Sequence, residues 1–234
     1  FLPKTAQITS IRFEEMIMKY YEEGYDAVVV VLINSTGSQT YSNALMAKET
    51  VLSEHPEIAE KMRIEILDSH CYSFGYGYPV IEAVKKMAAG QKLDVVLAYL
   101  EDMFNCCEIY LIGFELRHMK KSGRISAAAA VLGELMGIKP IISLIDGESA
   151  VVKKVRGDKK AIEECVEYVA QRAKPGTPWH VLRGVEAELD EEFIKLYSQK
   201  SGTKPVMTGY AGAAVASNTG PHMLGIVIRG EARR

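Results

Sequence analysis

The stretch Asn34-Ser35-Thr36-Gly37-Ser38-Gln39-Thr40 concentrates hydroxyls, side-chain amides and a glycine directly after an unbroken apolar run, Val28 to Ile33. Hydroxyl protons and free backbone N–H groups at a helix start form a receptor for an anionic group. The same residues also serve as caps for a helix beginning near Tyr41, and the local pattern leaves both readings standing. A third use, Ser38 as a nucleophile or as part of a phosphoryl-transfer site, requires a base, and the sequence pairs none with it. The chain carries no Gly-x-Ser-x-Gly elbow, P-loop or recognisable metal-ligand spacing.

A second polar turn runs from Asp68-Ser69-His70-Cys71 to Gly75-Tyr76-Gly77. A Gly-x-Gly after a strand invites a dinucleotide site, but position 80 is Val where that fingerprint needs its third glycine. The glycines are read instead as letting a helix pack closely on a sheet. The four cysteines, Cys71, Cys106, Cys107 and Cys165, have no metal-binding spacing and are read as reduced thiols of a cytoplasmic protein.

These loops need elements to hold them. An apolar run without alternation suits a parallel strand buried on both faces, and ligands of open α/β sheets sit at the carboxyl ends of such strands. A helix with Phe13, Met16, Ile17 and Tyr20 at helical spacing precedes that strand and stops at Gly24. After the loop comes a helix bearing Ala44, Ala47, Val51 and Leu52, ended by Pro56, and then a strand over Arg63 to Asp68. Helices follow over about 80–89 and 93–104, and Ile109 to Phe114 reads as a third strand of the same parallel layer.

The pattern changes near Glu115. An alanine-rich helix is expected over 127–136, and strands 140–145 and 150–155 flank Asp146-Gly147, a two-residue hairpin turn. Helices over 159–172 and 187–200 alternate with strands over 179–185, 205–208 and 224–228. This predicts an α/β protein with a parallel-sheet N-terminal domain, residues 1–115, packed against an α+β C-terminal domain, residues 116–234. The boundary falls within 112–124.

Composition sets the limits. The chain has 234 residues, a net charge of −2, 48% hydrophobic and 25% charged residues, as in ordinary globular domains. That balance gives no reason to expect a nucleic-acid partner. No apolar run approaches the roughly 20 residues that span a bilayer. Arg124, Lys153, Lys154, Arg156, Lys159 and Lys160 make the second half locally basic. That is either a solvated face or a docking surface for an acidic partner or, transiently, a membrane.

Several segments together resemble one family. Lys4-Thr5-Ala6-Gln7 is similar to its Thr-Ser-Gln motif, and Asn34 to Ala44 to its Ser-x-Leu-Ser-Gly-Thr-Tyr loop. Asp68-Ser69 with Gly75 and Gly77, Gly123-Arg124-Ile125-Ser126, Gly137 to Ile141 with Asp146-Gly147, and Thr219-Gly220-Pro221 follow in the family's order. The chain is identified as a member of the DegV family of bacterial fatty-acid-binding proteins, over essentially its whole length. The resemblance implies two domains enclosing a long-chain fatty acid between them in an apolar tunnel, with no catalysis, no metal and no cofactor beyond that ligand. Some members present the lipid to a separate ATP-binding fatty acid kinase subunit. Members also begin with a further strand carrying Asp-Ser, which the resemblance implies this chain lacks.

Carried over by resemblance, Thr5 and Ser38 hold the head group by their hydroxyls, with Gly37, Gln39 and Thr40 alongside. Ala6 stands where the family has Ser, and Gln39 where it has Gly. Asn218 replaces a histidine that reaches toward the head group, with His222 four residues on. An amide donates a hydrogen bond but carries no charge, so a different small anionic ligand remains the alternative.

Overall fold

The two apolar runs of the first half lie side by side in the computed structural model, which describes residues 3–131 and 137–233. After α1 (Ser10–Glu22), β1 (Ala27–Leu32) pairs in parallel with β2 (Arg63–Asp68), Ala27 opposite Arg63 through Leu32 opposite Asp68. Side chains alternate across a strand, so Val28, Val30 and Leu32 meet α1 and α2 (Thr40–Glu54), while Val29 and Val31 meet α4 (Phe74–Ala88) and α5 (Leu93–Asn105). The short α3 (Glu57–Lys61) starts at Pro56 and leads into β2. Ala44 and Ala47 are completely buried, the small residues that let α2 lie close on the sheet.

A six-stranded sheet forms the second layer. Its strands are β3 (Cys107–Gly113), β4 (Ile138–Ile145), β5 (Glu148–Arg156), β6 (His180–Arg183), β7 (Met207–Tyr210) and β8 (Met223–Arg229), in the order β5-β4-β3-β8-β6-β7. Here one expectation is corrected. The strand read as a third member of the parallel layer is β3, in the interior of this sheet and antiparallel to both neighbours, β4 and β8. Every residue of β3 is buried, and burial on both faces produces the same unbroken apolar run whichever way the neighbours point.

On one face of this sheet Tyr110, Ile112 and Ile226 pack under α7 (Asp158–Arg172) and α8 (Ala187–Ser201) around Trp179 and Phe193. On the other, Ile109 and Val227 meet Cys71, Tyr72, Phe74 and Tyr76 of the first half. Leu111, Ile142 and Met223 on that face pack with Met119 of α6 (Arg117–Ser122) and with Ile125. A short 3-10 helix, Ser126–Val131, opens the alanine-rich segment, and 132–136 of that expected helix lie outside the described residues. An additional short helix, α9 (Ala213–Thr219), precedes β8.

The buried Glu108 of β3 is held by Arg172, whose Nη2 and Nε donate at 2.5 and 3.2 Å, and by the Tyr110 hydroxyl. A charge-assisted fork of this kind meets the carboxylate's need for donors inside the protein. Two of the basic residues of β5 and α7 are paired within this face: Lys153 lies 2.6 Å from Glu164, and Lys160 lies 3.1 Å from Glu163. Among the described residues no helix is long and apolar enough to cross a membrane.

Candidate ligand-binding site

Two loops meet at the carboxyl ends of β1 and β2, and a turn from the other sheet closes onto them. The first is the polar loop 33–39, and the second is 69–73, which leads into α4. Their backbones are tied directly, with the Asn34 N–H donating to the Cys71 carbonyl at 3.1 Å and the Ser69 N–H to the Leu32 carbonyl at 3.0 Å. Asp68, at the end of β2, accepts the N–H groups of Ser35 at 3.2 Å and His70 at 2.8 Å, so its carboxylate pins both loops. His70 and Ser73 adopt positive φ, 52° and 49°. Backbone of that kind is uncommon outside glycine and clusters at functional sites.

The closing turn is Asp146-Gly147, between β4 and β5. Both residues have positive φ, 51° and 83°, as a two-residue hairpin turn of the mirror type requires. The Gly147 carbonyl accepts the Thr36 hydroxyl at 3.0 Å and a longer contact from Asn34 Nδ2 at 3.4 Å. Asn34 is fully buried. Its Nδ2 donates to Thr36 Oγ1 and to the Tyr72 hydroxyl oxygen, both at 2.8 Å, while its Oδ1 accepts the Thr36 N–H at 3.3 Å. One amide therefore joins three segments distant in sequence.

Of the residues predicted for the site, Gly37, Ser38, Gln39 and Thr40 fall together on this loop. Ser38 and Thr40 share a hydroxyl–hydroxyl bond of 2.8 Å, and Ser38 Oγ also accepts the Thr40 N–H at 3.3 Å. Ser38, one residue ahead of the Gln39 N-cap, thus holds the first N–H of α2 and pairs its hydroxyl with that of Thr40. Gln39 is exposed at the helix N-cap. Thr5 and Ala6 are exposed on the segment ahead of α1, which is tethered to α2 where Asn43 Nδ2 donates to the Ile8 carbonyl at 2.6 Å. Asn218 is on α9, its amide donating to the Ala214 carbonyl of its own helix at 2.8 Å. His222 is engaged by Glu186 at 2.5 Å and lies 3.5 Å from Glu115.

The sequence places Asn34 in the polar loop and Gly147 in the hairpin turn, gives Tyr72 no role, and brings none of the three together. Beside them, the junction of α4 with the second sheet holds a cavity of about 20 Å³ lined by Phe74, Gly75, Tyr78, Cys107, His180 and Val227 among others. That is room for a water molecule. His180 is buried there, its ring 4.4 Å from that of Tyr78, and burial holds its imidazole down at about 4. On the opposite side of the sheet Asp190 is completely buried with no hydrogen-bond partner among the described residues, and burial pushes its carboxyl up to about 6. Among the described residues no group of three or more His, Cys, Asp or Glu could hold a metal ion.

Comparison with known proteins gives one family. The model described as "Uncharacterised protein, DegV family" matches residues 1–231. The DegV domain-containing protein YteA of Lactococcus lactis is 30% identical over 226 residues, which cover 95% of this chain and 76% of that protein. A solved DegV family protein from Thermus thermophilus, described as binding fatty acid, superposes with a TM-score of 0.82 at 27% identity, covering 98% of this chain and 79% of its own. A DegV lipid-binding protein from Thermotoga maritima gives 0.79 at 26% identity, covering 100% of this chain and 79% of that one.

Proposed function

This chain belongs to the DegV family, and on that premise we propose that it binds a long-chain fatty acid between its two sheets without catalysing a reaction. The observation that carries the reading is the Ser38–Thr40 hydroxyl pair at the head of α2, beside an apolar junction of α4 with the six-stranded sheet. Hydroxyl and backbone N–H donors satisfy an ionised carboxylate without burying a lysine. The acyl chain runs along the junction, where Phe74 and Tyr78 move aside to open the tunnel. Each buried methylene then contributes about 0.8 kcal/mol. Thr5 closes over the head group from the exposed segment, with Ala6 and Gln39 bordering it. Asn218 joins after releasing the Ala214 carbonyl.

A carrier fits this loop better than an enzyme does. Among the described residues the hydroxyl of Ser38 is partnered by Thr40 and by no histidine or carboxylate, so nothing activates it as a nucleophile. In this reading the protein is cytoplasmic, needs no cofactor, and offers its bound acid to a separate ATP-binding kinase subunit. We also propose that it is built as two domains, exchanging near the start of β3.

Native mass spectrometry of the purified protein, followed by denaturing extraction, tests the reading. The expected result is a retained acid of about 14–20 carbons, a length that supplies most of the affinity. In delipidated protein, Ser38→Ala combined with Thr40→Val is expected to weaken palmitate binding about 10- to 100-fold, since hydrogen bonds to a charged group contribute about 1.5–3 kcal/mol. A wild-type protein that is empty and ignores both palmitate and oleate overturns the reading, and a different small anion becomes the ligand to seek.

A further inference from the structure

We propose that Tyr72 is a direct ligand of the anionic head group, positioned by Asn34 and given room by Gly37. The inference rests on the reading above, in which the 37–40 loop receives a carboxylate, and adds a residue that the loop's own sequence does not contain.

Counting protons leads to Tyr72. The Asn34 amide has two, and its closest acceptors, Thr36 Oγ1 and the Tyr72 oxygen, are both at 2.8 Å. The orientation of that amide is fixed because Asn34 Oδ1 accepts the Thr36 N–H. The Thr36 hydroxyl proton is committed to the Gly147 carbonyl at 3.0 Å. Tyr72 is therefore held through its oxygen, and among the described residues its own O–H has no acceptor. The Ser38–Thr40 pair supplies the other uncommitted proton: one hydroxyl donates to its partner, and the partner's proton stays free. Two free hydroxyl protons match a carboxylate, which has two oxygens to receive them.

Gly37 supplies the independent geometric argument. A Cβ at that position would run into the Tyr72 hydroxyl and would lie 3.2 Å from two carbons of its ring. The Tyr72 hydroxyl thus sits directly over the residue before Ser38, on the loop itself. The glycine at 37 and the tyrosine at 72 are complementary choices: the side chain missing from one leaves the space filled by the other.

Tyr72→Phe keeps the ring and removes the proton. Its dissociation constant for palmitate is expected to rise about tenfold, the loss of one hydrogen bond to a charged group. Hexadecanol, which has the same chain length and no anionic head, is expected to bind with unchanged affinity. In protein labelled at tyrosine Cζ, one carbon resonance is expected to move on adding palmitate, and that resonance is absent from Tyr72→Phe. Gly37→Ala, which displaces the ring, is expected to weaken palmitate to a similar degree, with no further loss when combined with Tyr72→Phe.

Unchanged palmitate affinity in folded Tyr72→Phe, while the Ser38→Ala and Thr40→Val protein loses it, overturns the Tyr72 assignment and leaves the carrier reading intact. An equal loss for hexadecanol also overturns it, because the effect is then structural. Failure of the wild type to bind palmitate removes both.

Discussion

Gly147→Val is expected to lower stability by about 3 kcal/mol and to abolish retention of fatty acid, because it strikes the backbone and the ligand loop together. Position 147 has φ of 83°, and an added Cβ would lie 2.7 Å from Asn34 Oδ1 and 2.9 Å from Thr36 Oγ1. The left-handed conformation costs an ordinary residue roughly 1–2 kcal/mol, and a β-branched one more. Pushing the turn away also strips the Thr36 hydroxyl of its acceptor and disturbs the buried Asn34, for roughly another 1–3 kcal/mol. Urea unfolding with native mass spectrometry measures both effects. Gly157→Ala is the control: its φ is 88° but nothing lies within 4 Å of the new Cβ. It should cost about 1–3 kcal/mol of backbone strain, since φ 88° with ψ 148° suits glycine, but leave ligand retention alone. Equal behaviour of the two variants would show that contact with Asn34 and Thr36 is immaterial.

His180 and Asp190 are expected to pull stability in opposite directions over one pH interval. The imidazole of His180 sits at about 4 in the fold, below its usual 6.5, so the unfolded chain takes up the proton first. Its stabilising share is complete above about 6.5 and falls by roughly 3 kcal/mol as pH drops toward 4. Asp190 does the reverse. Its carboxyl is raised from 3.8 to about 6, so the fold holds the proton longer. That share is present below about 3.8 and is lost, again by roughly 3 kcal/mol, as pH rises through 6. In the wild type the two changes largely offset each other. Asp190→Asn should therefore lose stability on acidification from pH 7 to 4, and His180→Phe should gain it. The two residues lie on opposite faces of the sheet, so the double variant is expected to be nearly additive. Denaturant curves at pH 4, 5, 6 and 7 check this; profiles parallel to the wild type in both single variants would refute it.

Much of the architecture could be read because it depends on local pattern. β2 occupies the expected Arg63–Asp68, and the Asp146-Gly147 turn joins the expected antiparallel pair. The direction of β3 could not be read, since its uniform burial hides which way its neighbours run. α4 begins at Phe74 rather than near Val80 because Gly75 and Gly77 look like turn residues. Gly75 is helical for a tertiary reason: a Cβ there would lie 2.9 Å from Cys107 Sγ, so only glycine allows that approach. α9 escaped notice because Ala213, Ala214 and Ala216 leave no apolar stripe to detect. The site divides in the same way. Ser38 and Thr40 announced themselves by ending a strand and starting a helix. The link from Asn34 to Tyr72 and Gly147 spans 38 and 113 residues of chain, and local periodicity carries no information at that range.

The bonding around Asn34 bears on the entropy of recognition. A polar loop free in solution would have to surrender its rotamers to whatever it binds, at about 0.5–1.5 kcal/mol for each immobilised side chain. Here Asn34, Thr36 and the backbone of Ser35 are already immobilised by Tyr72, Gly147 and Asp68. That ordering is completed in folding, when the two sheets come together. Of these three anchors only the Gly147 carbonyl belongs to the six-stranded sheet, so docking of the sheets supplies the last of them. In the proposed carrier, separating the sheets would free Thr36 from that anchor as it opens the seam, coupling the mobility of the loop to exposure of the acyl chain.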